Sequence, residues 1–193
     1  FFLHLYKFLI YLYLMLTFDD IIDSFARVCP KKTVVSDDIR SLSYSNLQSN
    51  GSNLATFFKK YKIIKGDRVA LLSFNRIEFA EILYATSKLG VIIMPINFRL
   101  SKEEIASIVK DANPKFFLYE KAFFKIINYL VKNNFLDKNM TLCINTKNYF
   151  KLLTETKNTY PLNLKNSKKN DNWSLMYTSG TTGNPKGVIR NHE

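Results

Sequence analysis

Residues 173–187 read "WSLMYTSGTTGNPKG". The apolar run "WSLMYT" (173–178) has the length and composition of a buried strand. It passes directly into hydroxyl residues and glycines, then a Pro-Lys pair, then a second apolar segment, "GVI" (187–189). A loop held between two apolar segments is expected to be tight. The alternative is a flexible Ser/Thr/Gly linker, since these residues dominate loops of every kind. A linker, however, gains nothing from a rigid Pro-Lys pair.

The composition of this loop suits a polyphosphate. Gly180, Gly183 and Gly187 leave room for an anion near the main chain and allow backbone conformations that other residues resist. Thr178, Ser179, Thr181 and Thr182 carry hydroxyl donors, and Lys186 is a flexible point charge able to reach a β- or γ-phosphate. Pro185 fixes its own φ and biases Asn184 toward extended backbone, giving the lysine a defined exit from the loop. The Walker A pattern fails here, because the second glycine would fall on Pro185 and Lys186 is followed by Gly187. The dinucleotide pattern G-x-G-x-x-G fails as well, since no glycine in the loop has a glycine two positions on.

Upstream, helix and strand signals alternate. Thr17 and Asp20 have capping-box spacing, followed by Phe18, Ile21, Ile22 and Phe25 as one helical stripe. "KKTVVSDD" (31–38) reads as a short strand and a turn. Ser45 and Gln48 suggest a second capping box, with Leu47, Leu54, Phe58 and Tyr61 on one face. "KGD" (65–67) is a turn and "RVALLSF" (68–74) a buried strand, and Asn75 and Glu78 open a helix to about Leu89. "GVIIMPIN" (90–97) is another strand. Ser101 and Glu104 then cap a helix with the stripe Ile105, Ile108, Val109 and Ala112. "KFFLY" (115–119) is a strand, 121–131 a helix, "MTLCI" (140–144) a strand and 156–172 a polar loop. Continuous apolar strands separated by amphipathic helices predict an α/β fold: a doubly wound, mostly parallel sheet with helices on both faces.

Composition narrows the function. Hydrophobic content of 47% with 23% charged residues is ordinary globular composition. The net charge of +12 invites a nucleic-acid reading. The lysines read as spread along the chain, with a local cluster at Lys165, Lys168 and Lys169, and no arginine-rich helix stands out. No nucleic-acid partner is expected. The abundance of Phe, Tyr, Ile, Lys and Asn has the look of AT-rich codons. Cys29 and Cys143 lack metal-ligand spacing and read as reduced thiols of a cytoplasmic protein. His4 and His192 are too few and too far apart for a metal site, and His192 reads as a helix-start residue without a role.

The N-terminal "FFLHLYKFLIYLYLML" (1–16) is apolar apart from His4 and Lys7. It is shorter than the roughly 20 residues of a comfortable membrane span and lacks a small-residue cleavage site. With Met15 just before a helix start, residues 1–14 are expected to be an over-translated extension, and the domain proper is expected to run over 15–193. Membrane contact through residues 1–16 is the alternative.

"YTSGTTGNPKGV" (177–188) resembles the phosphate-loop signature of the adenylate-forming superfamily, which comprises acyl-CoA synthetases, nonribosomal adenylation domains and luciferases. "LSYSNLQSNGSNLATFF", "GDRVALLSFNRIEFAEILYATSKLGVIIMPIN" and "RLSKEEIASIVKDANPKFFL" resemble the upstream run of that family in the same order, from about Thr17 to the C-terminus. The resemblance implies a two-step reaction. A carboxylate attacks the α-phosphorus of ATP and releases pyrophosphate, and a thiol, that of coenzyme A, then displaces AMP. It also implies Mg²⁺, and makes Thr178, Ser179, Gly180, Thr181, Thr182, Gly183 and Lys186 the phosphate contacts.

By the same resemblance, the adenine and ribose grips, the Mg²⁺-binding acid, the acyl pocket and the catalytic lysine all follow this loop. No catalytic residue is therefore expected within the 193 residues, and the chain alone is expected to be inactive. Fatty acids are the expected substrate class. An adenylation domain of a peptide synthetase, an aryl-CoA ligase and a non-enzymatic pseudogene remnant are the alternatives. Oligomeric state is left open.

Overall fold

The computed structural model describes residues 17–155, 165–178 and 185–192. The chain opens with α1 (Phe18–Val28), the short strands β1 (Thr33–Ser36) and β2 (Ser41–Ser43), and α2 (Tyr44–Lys60). Strand and helix then alternate through β3 (Arg68–Leu72), α3 (Ile77–Leu89), β4 (Ile92–Pro95), α4 (Lys102–Ala112) and β5 (Phe116–Glu120). A 3-10 turn at Lys121–Phe123 leads into α5 (Phe124–Lys132), followed by β6 (Thr141–Ile144) and α6 (Lys147–Glu155). The hairpin of β7 (Asn172–Thr178) and β8 (Lys186–Asn191) completes the described elements. β1 and β2 pair antiparallel by themselves. The main sheet has the order β6-β5-β3-β4-β7-β8, parallel throughout except for β8, which runs antiparallel to β7.

The alternation of β3 explains the doubly wound form. Val69 and Leu71 point into one core with Leu54 and Phe58 of α2, Ile82 and Leu89 of α3, and Leu153 of α6. Ala70 and Leu72 point into the opposite core with Ile105 and Val109 of α4 and Ile127 and Leu130 of α5. Because both faces are covered, the strands read as unbroken apolar runs. Each large side chain removed from water contributes about 1.5–3 kcal/mol. A smaller cluster of Ile22, Leu42, Leu47, Ile77 and Tyr84 fastens α1 and β2 to α2 and α3. Gly90 ends α3 at φ 67°, a left-handed conformation that the C-terminal cap requires and that favours glycine.

The capping boxes at Thr17/Asp20 and Ser101/Glu104 are present. The one expected at Ser45/Gln48 is not. α2 begins at Tyr44, and Ser43 caps it by accepting the Asn46 backbone N–H at 3.2 Å. β2 delivers Ser43 in extended backbone, so its hydroxyl reaches the free amide first, and Gln48 instead donates to Asp23 at 2.8 Å. Glu78 does not cap α3 either, since it takes Arg40 at 2.9 Å.

Candidate active site

β7 runs parallel to β4, so Thr178 lies at the carboxyl edge of the sheet. In open α/β sheets this is the edge where ligands bind. Thr178 and Lys186 are direct partners across the β7–β8 ladder and close the mouth of the hairpin. Ser179, Gly180, Thr181, Thr182 and Gly183 lie outside the described residues. The two described phosphate-loop candidates, both exposed, are thus brought together.

Gly187 has a different role from the one its neighbours suggest. A Cβ there would sit 3.0 Å from Leu175 Cδ1 and 3.3 Å from Tyr177 Cζ. Its bareness serves cross-strand packing within the hairpin. Tyr177, opposite Gly187, donates its hydroxyl to Asp111 on α4, which ties the hairpin to the helical layer. Burial first, and then the bond and charge of Asp111, push the Tyr177 phenol up to about 12, so it stays a donor at neutral pH.

Beside the hairpin, the loops after β3 and β4 line an open crevice of about 340 Å³ with Met176 and Tyr177. Its rim is aromatic, with Phe74 against Phe98 at 4.9 Å and Phe123 at 5.0 Å between ring centroids. A charged fork fixes the loop after β3. Arg76 Nε and Nη2 donate to Glu120 Oε1 at 3.1 and 2.7 Å, and the Phe74 backbone N–H donates to Glu120 Oε2 at 3.2 Å. Glu120 is buried at the end of β5, so this pair sets one wall of the crevice from below.

At its opposite end the hairpin is seated by aromatic stacking. Trp173 lies between Phe18, at 5.7 Å, and His192, at 5.0 Å. His192 follows β8, and the helix expected to start there would lie outside the described residues. Its Nδ1 accepts the Phe18 backbone N–H at 3.5 Å, and burial lowers its pKa. Sequence reasoning did not single out Arg76, Glu120, Tyr177 or Asp111 as partners. These pairs are 44 and 66 residues apart, and no local signal joins them.

The pattern of the AMP-binding enzyme family matches residues 22–193, and the chain belongs to that family. A long-chain-fatty-acid–CoA ligase of Mycobacterium tuberculosis is 33% identical over 158 residues, covering 82% of this chain and 31% of that protein. A crotonobetaine/carnitine–CoA ligase of Proteus mirabilis is 30% identical over 187 residues, covering 88% of this chain and 35% of that protein. The chain therefore spans about a third of the length of these relatives. Among solved structures, a Mycobacterium tuberculosis fatty acyl CoA synthetase superposes with a TM-score of 0.78 at 25% identity, over 92% of this chain and 35% of that one. An anthranilate CoA ligase in complex with anthranoyl-AMP shares the fold, with a TM-score of 0.81 at 23% identity over 93% of this chain and 34% of that one.

Proposed function

We propose that this chain forms the front part of an ATP-dependent acyl-CoA synthetase that activates a carboxylic acid, of the fatty-acid class, as its acyl-adenylate and passes it to coenzyme A. The observation that carries the proposal is the pairing of Thr178 with Lys186 at the carboxyl edge of the sheet, in a chain of the AMP-binding family. Pyrophosphate leaves as charge moves off the α-phosphorus. A lysine and hydroxyl donors held in place before the reaction stabilise that charge without reorganising. Ser179, Gly180, Thr181, Thr182 and Gly183 join Thr178 and Lys186 in this role on the strength of the sequence signature alone. Mg²⁺ enters as the companion of the nucleotide. Among the described residues no group of three or more His, Cys, Asp or Glu lies together, so none is assigned to the ion. The fatty-acid class follows the activity by which the Mycobacterium tuberculosis relatives are named.

The test is ATP–pyrophosphate exchange by the protein as its gene encodes it, with palmitate, a short acid, an aryl acid and amino acids compared. Palmitate-dependent exchange is expected, and Lys186→Ala should lower kcat/KM by about 10²-fold, the order seen when one preorganised donor to a developing charge is lost. Exchange driven by amino acids alone would assign the chain to peptide-synthetase adenylation instead. Exchange that Lys186→Ala leaves untouched would remove the phosphate role of the hairpin.

A further inference from the structure

The fold sets a local run of lysines, Lys59, Lys60 and Lys62, at the same edge as lysines distant in sequence. Because β3 to β6 run parallel, the amino ends of these strands and the C-termini of the helices packed on them share the edge opposite the phosphate loop. Lys59 and Lys60 end α2 there, and Lys62 follows in the next turn, all three exposed. Lys110 in the last turn of α4, Lys115 before β5, Lys132 at the end of α5 and Lys138 before β6 are exposed at the same edge. The acidic groups nearby keep their charge but are fewer than the lysines, and each has a partner. Asp67 accepts the Ile64 N–H, Asp111 accepts Tyr177, Asp137 accepts the Asn139 N–H, and Asp171 pairs with Lys65 at 2.6 Å. Partial charges at helix C-termini, about half a unit each, offset only part of this excess.

Two further observations give the basic edge a character that phosphate binding in water does not need. Ile64 is 66% exposed and Tyr61 37% exposed, both set among Lys59, Lys60 and Lys62. The apolar sequence of residues 1–16 also joins the described fold at this corner. Thr17 Oγ1 accepts Lys165 Nζ at 3.2 Å, and the Asp19 backbone N–H donates to Ser87 Oγ at 3.1 Å near the end of α3. The Gly66 N–H reaches the Gly90 carbonyl just after α3 at 2.9 Å, so the turn carrying Lys62 and Ile64 adjoins that corner. Among the described residues no helix is long and apolar enough to cross a membrane.

We propose that this edge is a membrane-docking face, lying on an anionic bilayer through Lys59, Lys60, Lys62 and Ile64. The lysine ammoniums meet lipid phosphates while Ile64 enters the apolar boundary, and the phosphate loop faces away into water. Duplex nucleic acid would satisfy the same charges but would leave Ile64 against a hydrated backbone. The inference does not depend on the identity of the acyl substrate.

The experiment is sedimentation of the chain with vesicles of phosphatidylcholine alone, or mixed with phosphatidylglycerol, over a range of salt. Binding is expected to the anionic vesicles only and to weaken as salt rises. Each lysine near such a surface strengthens binding about fivefold, so Lys59→Gln, Lys60→Gln and Lys62→Gln together should lower partitioning on the order of 100-fold. The same loss of charge at the opposite edge, through Lys121→Gln, Lys125→Gln and Lys147→Gln, should leave partitioning near that of the parent. Circular dichroism confirms that both triple variants are folded. Equal losses in the two variants would reduce the effect to diffuse charge and overturn the proposal. So would equal binding to neutral vesicles, loss only on substitution of Phe8 and Ile10 by Ser, or lysine-dependent binding of duplex DNA without vesicle binding.

Discussion

Gly51→Ala sets two opposed effects against each other in the middle of α2. Alanine in a helix interior is better than glycine by about 0.5–1 kcal/mol, so propensity alone predicts stabilisation. The packing predicts the reverse. A Cβ on Gly51 would lie 3.0 Å from Tyr84 Cγ and 3.1 Å from Tyr84 Cβ, and closer still to Cδ1. Tyr84 has no room to withdraw. It is 0% exposed, its hydroxyl donates to Asp23 at 2.5 Å, and Lys88 Nζ donates to it at 3.1 Å. Relief would require α2 and α3 to separate, loosening the cluster that fastens α1. Overpacking of this kind costs about 1–3 kcal/mol, and the pinned ring places the cost near the top of that range. The net expectation is a loss of about 2 kcal/mol, or a Tm lower by about 4–8 °C for a chain of this size. Urea unfolding followed by circular dichroism measures it, and a Tyr84→Leu background should remove most of the penalty in a double-mutant cycle. A Gly51→Ala protein as stable as its parent, or more so, would refute the packing account.

Two other outcomes follow from the site. His192 has its pKa lowered chiefly by burial, against the pull of Asp19 and Asp171, so the folded chain favours the neutral ring. The stability this adds is present above the ordinary histidine value near 6.5 and is lost as pH falls below it. Trp173 is the sole tryptophan and stacks on His192. Its emission should therefore change with a midpoint below 6.5, and the same transition in His192→Phe would exclude His192 as its source. Glu120→Gln keeps the shape of the fork but removes the charge that holds Arg76, at an expected loss of about 1.5–3 kcal/mol. Amide exchange at Phe74 and Arg76 should quicken while α4 stays as it was. Unchanged exchange there would mean that the fork does not fix the loop.

The parallel sheet was legible because its signal is local and redundant. β3, β4 and β5 are buried on both faces, so each shows as an apolar run, and Ser101 with Glu104 marks the start of α4 within four residues. α6 escaped because it is short and largely polar, although Tyr149 and Leu153, fully buried at i, i+4, carried a usable signal. β8 escaped because it is the outermost of the described strands, with Val188 and Ile189 both about half exposed and therefore no alternation to read. At the candidate site, Thr178 and Lys186 were singled out from the motif, and the fold makes them partners across the β7–β8 ladder. The contacts around it were not, since Arg76 meets Glu120, and Tyr177 meets Asp111, only once the sheet has brought distant segments together.

The hairpin is built as a cantilever. Six register pairs stiffen β7 against β8 along their length, whereas a single register pair, Ile93 with Ser174, joins β7 to β4. The clamp is at the root, where Trp173 is held between Phe18 and His192, with Tyr177–Asp111 as a strut further out. Held at both places, the two strands are carried as one body, so a change at the aromatic root or at the Tyr177 strut is expected to act on Thr178 and Lys186 together, as a register pair.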